Sequence, residues 1–288
     1  MDGQGSSSAG HEIAAELRRR LAASPSDRLG DAVRQIMDHA FQIIATLRPT
    51  PEELDALVQF LTDVGYATDA RRQEWVILAD VFGLTDGVFS GGRTDTAGVT
   101  PSTLPGPFYR ADAPHLALGA DLCRNGAGQP LSVAGQVLDP DRKPLSGALV
   151  EVWHANSEGR YENQDPDNQP EHNLRGAFTA DADGCFHFRT IRPGGYALPE
   201  DGPVGQLARR LGLSLDRPAH IHFAVSAPAH RRLVTTIFDG ADPAISRDAL
   251  FAVKPALIGQ FGVGGTDLLK VVLVLDRDGS PQPNQPKG

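Results

Sequence analysis

Two cysteines in 288 residues, Cys123 and Cys185, leave no basis for a thiolate zinc site or a disulfide framework. Any metal must be held by nitrogen and oxygen. Aromatic residues are sparse at 6 %, with four tyrosines and two tryptophans, so the placing of each tyrosine carries information. No run approaches the roughly eighteen apolar residues of a membrane helix, and MDGQGSSSAG at the start has neither the basic nor the apolar region of a secretory signal. A cytoplasmic protein without membrane insertion is expected. Positive charge is in deficit, with 27 Lys and Arg against 36 Asp and Glu, a net charge of −9 and a pI near 5.4. No basic run gathers what there is, which points to a small-molecule partner and away from nucleic acid. Gly-x-Gly-x-x-Gly and P-loop patterns are absent too, so neither nucleotide nor flavin is expected.

What is present changes period part-way along. From Asp27 to Leu47, Leu29, Val33, Ile36, Met37, Ala40, Ile44 and Leu47 recur at steps of three and four, the stripe of an amphipathic helix. A shorter helix precedes it over about 12–23. Thr50-Pro51-Glu52-Glu53 then reads as a capping box with proline at the first helical position, and Gly65 ends that helix. Another, from about Asp69, carries Trp75, Leu78 and Phe82 on one face and stops at Gly83. Residues 83–106 are rich in Gly, Thr, Ser and Pro and read as a connector. Beyond it the period is two: 131–139, 148–155, 177–191, 219–226, 233–238 and 268–275 read as strands punctuated by Asp- and Gly-rich clusters, taken as hairpin turns. The expected organisation is 1–26 as a loose start, 27–105 as a helical and linker region, 106–280 as a β-sandwich and 281–288 as a tail.

Within RPAHIHF, 217–223, His220 and His222 stand at i and i+2 of a strand and so share one face. Such a pair suits zinc as readily as iron. Two tyrosines lie in Gly-rich loops within reach, Tyr161 in EGRY and Tyr196 in RPGGYALP. Either alone is more often a structural residue whose hydroxyl finds a backbone partner. Two phenolates beside two neutral imidazoles are another matter: hard anionic donors of that total charge suit Fe(III) better than zinc, calcium or Fe(II). Binding requires each phenol to lose a proton, and the ion supplies the drive.

LVEVWHANSEGRY at 149–161, RPGGYALPEDGPVG at 192–205, RPAHIHF at 217–223 and LPGPFY at 104–109 together resemble the intradiol ring-cleaving catechol dioxygenases, over about residues 27–275. The resemblance implies α+β, mainly β architecture, with an N-terminal helical dimerisation region followed by a β-sandwich that holds one non-haem Fe(III) per subunit. It maps the ligands onto Tyr161, Tyr196, His220 and His222. Arg217 becomes the residue that stabilises negative charge on the ring. His154 is left as a structural residue, and Tyr109 is assigned to the pocket. An aromatic vicinal diol and dioxygen are the implied substrates: the diol displaces Tyr196, which takes up a substrate proton, while Tyr161 stays.

RQEWVILADVFGL, EDGPVG and the stretch from LVTTIFDGADP to FAVK are most similar to the hydroxyquinol-cleaving branch. There the counterpart of Asp80 lies near the substrate. A carboxylate in the last turn of a helix opposes the dipole, and a third ring hydroxyl would give it a use. Ile77, Leu104, Pro105, Gly106, Ala197, Leu198 and Pro199 are the remaining pocket walls on the same comparison. A catechol or chlorocatechol enzyme is the near alternative and a non-catalytic metal-containing β-sandwich the distant one. The resemblance also implies a homodimer through the N-terminal helices and allows a lipid at that interface.

Overall fold

The computed structural model describes residues 5–22, 27–69, 72–91, 97–262 and 267–279. Two compact units are present, one ending at Tyr66 and the other starting at Ala67. The first holds three helices, α1 (Gly5–Leu21), α2 (Arg28–Leu47) and α3 (Pro51–Tyr66). Asp27 caps α2 by accepting from the Gly30 N–H at 2.7 Å. The Thr50–Glu53 capping box forms as the sequence indicates, its two bonds measuring 2.8 and 3.3 Å.

The second unit opens with α4 (Glu74–Val81) and α5 (Leu84–Gly91). α5 corrects the sequence reading, which gave 84–91 to the connector. LTDGVFSG carries Gly87, Ser90 and Gly91, a composition that signals a loop, yet this segment forms a helix on the far side of Gly83. No helix among the described residues is long and apolar enough to cross a membrane.

Two sheets follow. β1 (Pro130–Leu138) lies between β10 (Leu268–Val274) and β4 (Cys185–Ile191). The larger sheet runs β3 (Arg175–Thr179), β2 (Leu149–His154), β7 (His220–Ser226), β8 (Leu233–Asp239), β9 (Ile258–Gly259). A short ribbon pairs β5 (Tyr196–Ala197) with β6 (Asp216–Arg217), and α6 (Pro203–Leu211) sits between those two strands in sequence. Residues of both sheets close one core: Val133, Phe186, Phe188 and Leu269 from one meet Val150, Phe178, Ile221 and Phe223 from the other. Phe178 stacks on Phe188 across the gap at 5.1 Å between centroids. This is the expected sandwich, with a correction at 181–184. That turn does not close a hairpin: β3 pairs with β2 and β4 with β1, so the chain changes sheets there. Asp181 accepts from the N–H groups of Asp183 and Cys185 in the manner of any tight turn, and local turn chemistry cannot tell the two topologies apart.

Candidate metal centre

β7 is the middle strand of the larger sheet, and its period of two divides the labour. Ile221, Phe223 and Val225 enter the sandwich core, which leaves His220 and His222 on the outer face. Both are buried there. Register supplies their neighbours, since His222 stands opposite Trp153 on β2 and Thr236 on β8. Trp153 stacks on the His222 ring with centroids 4.9 Å apart and planes 5° from parallel. The Thr236 hydroxyl meets His222 Nδ1 at 3.0 Å and is itself held by Thr103 at 2.7 Å. Gly106, at φ +67°, lets the backbone pass beside the same ring, where an added Cβ would sit 3.9 Å away.

His220 Nδ1 lies 2.6 Å from the Pro218 carbonyl, which can only accept. Nδ1 therefore carries the proton and Nε2 offers a lone pair. That Nε2 faces His222 Nε2 at 3.2 Å. Burial first, then Arg217, lowers the His220 pKa to about 3, and burial with His220 as neighbour lowers that of His222 far below its ordinary value. Both imidazoles are neutral and ready to act as ligands.

The two tyrosines reach this point from different loops. The loop after β2 is organised by Asn156, whose side chain accepts from the Glu158 and Arg160 N–H groups while its carbonyl accepts from the Gly194 N–H at 2.9 Å. This is a backbone-to-backbone approach that side chains would block. A Cβ at Gly194 would lie 2.3 Å from the Ser157 oxygen, and one at Gly159 would lie 2.8 Å from Tyr196 Cβ. The glycines of EGRY and PGGY thus bring Tyr161 and Tyr196 together, with ring centroids 6.3 Å apart. Tyr196 in turn is 5.7 Å from His220 between centroids. The four residues singled out from the sequence converge.

Tyr161 is 1 % exposed, and its hydroxyl has no hydrogen-bond partner. Leaving a buried hydroxyl unpaired costs about 1–3 kcal/mol. Burial raises its pKa well above the ordinary value and the adjacent Tyr196 adds to this, while Arg217 and Arg175 oppose it. A bridging proton could satisfy the two facing histidines, whereas a cation held by their lone pairs and by the ionised phenol would answer all three donors at once. Cis ligands about 2.1 Å from one ion stand about 3 Å apart, close to the imidazole separation observed. The donor set fits a hard, highly charged ion.

Arg217 is buried, pairs through β6 with Tyr196, and gives its Nε to Asp248 at 3.1 Å. Asp80 lies on α4 with Oδ1 buried and unpartnered. Burial raises its pKa, opposed by a hydrogen bond from Thr85 and by Arg217, so the solvated surface carboxylate of an ordinary helix end is not what the fold makes of it. Ile77 shares its face of α4 at i−3. Leu104 and Pro105 lead into Gly106, and Ala197 and Pro199 are exposed on the Tyr196 loop. Leu198, from the same loop, packs against the sandwich core. Tyr109 turns its hydroxyl away, to Glu151 at 2.7 Å and Arg232 at 2.7 Å, and sets its ring edge against Trp153. His154 points to the opposite face from Trp153, with Nε2 at 2.7 Å from Thr190 and Nδ1 at 2.7 Å from the Ala155 carbonyl. Burial, opposed by the Ala155 bond and helped by Arg175, lowers its pKa to about 4. Its role is structural, as expected. Missed by sequence reasoning are Asn156, Arg175, Glu162 and Asp248. The glycine spacing was a usable signal for the first, and nothing local marked the others.

Two family models cover the chain, "Dioxygenase" over residues 104–284 and "Catechol dioxygenase N terminus" over 26–90. The chain belongs to the intradiol ring-cleavage dioxygenases. It is 40 % identical to a hydroxyquinol 1,2-dioxygenase of Rhizobium sp. (strain MTP-10005), across 84 % of this chain and 82 % of that one. It is 32 % identical to a catechol 1,2-dioxygenase of Candida albicans, across 85 % and 82 %. Among solved structures, hydroxyquinol 1,2-dioxygenase from Pseudomonas putida DLL-E4 superposes with a TM-score of 0.87 at 30 % identity, covering 94 % of this chain and 99 % of that one. Catechol 1,2-dioxygenase of Acinetobacter radioresistens superposes with a TM-score of 0.79 at 27 % identity, covering 99 % and 98 %. This intradiol dioxygenase is a ring-cleaving enzyme built on the family's mixed α and β fold.

Proposed function

We propose that this dioxygenase cleaves hydroxyquinol, benzene-1,2,4-triol, between its two vicinal hydroxylated carbons to give 3-hydroxy-cis,cis-muconate, which tautomerises to maleylacetate. Both atoms of dioxygen end in the product. Tyr161, Tyr196, His220 and His222 would hold one non-haem Fe(III) per subunit, which would supply Lewis-acid polarisation of the diol. Tyr196 is the group that would take up a substrate proton. Its partial exposure and its place on a two-residue ribbon suit a side chain that moves. Arg217, fixed by Asp248, offers a guanidinium to negative charge gathering on the ring.

The observation that carries the substrate is the Asp80 carboxylate, held partly buried beside Arg217 with one oxygen unpartnered. A third ring hydroxyl donating to Oδ1 would relieve it, and catechol has none to give. The comparison of kcat/KM on hydroxyquinol, catechol and chlorocatechol tests this reading; a preference for catechol would replace it with the second reading, a catechol enzyme, whose solved relative superposes at the lower TM-score of 0.79.

The same proposal extends to assembly. α2 presents Leu29, Ile36, Ile43, Ile44 and Leu47 to solvent and has no buried residue. An apolar stripe of that extent calls for a cover, and a second copy of the chain is the one proposed, with an amphipathic lipid admitted between the copies. Sedimentation decides the dimer, and mass spectrometry of a solvent extract decides the lipid.

A further inference from the structure

Arg175 is among the largest fully buried side chains of the protein, at 1 % exposure, and nothing in the proposed reaction so far uses it. Its partner Glu162 is buried too, with Nε to Oε1 at 2.6 Å. A buried ion pair is weak evidence for stability, since well-packed apolar residues often serve as well or better. This one is also incompletely satisfied: Arg175 Nη2 and Glu162 Oε2 are buried without partners. Its position offers a reason. Glu162 follows Tyr161 directly, and the Arg175 guanidinium carbon lies 5.8 Å from the Tyr161 ring centroid. Its Nη1 donates to the Phe108 carbonyl, and the Phe108 ring stacks on Tyr161 at 4.2 Å with planes 21° apart. One side chain from β3 therefore ties down both the residue after Tyr161 and the residue that stacks on it. On β3 it stands opposite Trp153, the residue stacked on His222.

We infer that Arg175 is a positioning residue for Tyr161: it clamps the ring between Phe108 and a fixed cation, so that Tyr161 serves as the permanent anionic ligand while Tyr196 is free to leave. This rests on Tyr161 being a ligand. Among the described residues no such side-chain clamp holds Tyr196, whose loop is tied by backbone bonds, Gly194 to Asn156 and Leu198 to Leu215, and by the two-residue pairing with β6. A cation beside the phenolate lowers the energy of its electrons more than it affects a more distant ion, so it moves tyrosinate-to-ferric charge-transfer absorption to shorter wavelength.

The test is a double variant, R175M/E162M, which removes both buried charges at similar volume, while Arg110, which also reaches Glu162 at 3.3 Å, keeps Asp112 and Glu171 as partners. Iron retention against a chelator and the visible spectrum are measured on the iron-loaded enzyme, with Y161F in parallel. The expected result is iron affinity lower by about 10–100-fold, as for other supporting residues of metal sites, with the absorption band moved to longer wavelength. Wild-type affinity with an unmoved band overturns the inference, because a purely structural pair would leave the band where it is. Should the double variant not fold, R175K decides: lysine keeps the charge but cannot bridge Glu162 and Phe108 together, so weakened retention with little band shift supports the clamp and wild-type retention overturns it. If Y161F keeps both iron and spectrum, the ligand assignment of Tyr161 has failed, and the Arg175 variants are then no longer the cause.

Discussion

Tyr161 and Tyr196 are the same side chain in two settings. Tyr161 is buried, stacked on Phe108 with the Arg175 guanidinium near its ring, on a loop anchored by Asn156, and its backbone N–H is bonded to Gln164 at 3.0 Å. Tyr196 rests on a ribbon of two residues, partly exposed, beside a buried arginine. On the proposed roles, the donor that stays is the one built into the wall, and the donor that leaves is the one on the short ribbon. The chemistry of a phenol does not distinguish the two; the anchoring does.

The sharpest way to break this contrast is to remove the hydroxyls one at a time. Y161F is expected to lose iron, colour and activity down to background, measured by metal content and absorbance. A fully active, reddish Y161F would refute it. Y196F should keep its iron and lose about 10²–10⁴-fold in kcat, the usual worth of a positioned base, and a kcat near wild type would assign the proton to another group. The two loops also share a root, because His154 joins the end of β2 to Thr190 on β4. With its folded pKa lowered to about 4, the unfolded chain takes up a proton between pH 6.5 and 4 that the folded protein refuses. Stability therefore falls with pH across that window and has reached its loss below about 4, by on the order of 3 kcal/mol. Denaturant titrations of H154Q should show a shallower slope there; an unchanged slope would clear His154. The smallest effect is expected at Asp80, where D80N should lower the preference for hydroxyquinol over catechol by about 10–100-fold, the worth of one hydrogen bond to a charged group. An unchanged ratio would end that role.

Much of this was legible in the chain. The stripe from Leu29 to Leu47, the Thr50 box and the strand bearing His220 and His222 are local patterns, and local physics produces them. The Tyr–His constellation was legible because few residues combine those donors. What escaped was non-local. α5 is a helix made of loop-forming residues. The 181–184 turn has the same hydrogen bonds whether it closes a hairpin or changes sheets. Arg175 in a strand looks like any exposed arginine until the fold buries it against Glu162, a residue chosen by tertiary packing and not by spacing. Asp248 reaches Arg217 from another segment for the same reason.

The alternation along β7 has a further consequence. Its odd positions, Ile221, Phe223 and Val225, fill the sandwich, and its even ones carry the imidazoles. A slip of one residue in pairing would exchange the faces, driving two histidines into the hydrocarbon interior and leaving the centre with an isoleucine and a phenylalanine. No register of β7 presents one imidazole without the other. Folding into the correct register and presenting the histidine pair are a single event, so a chain that has passed the first has already been proofread for the second.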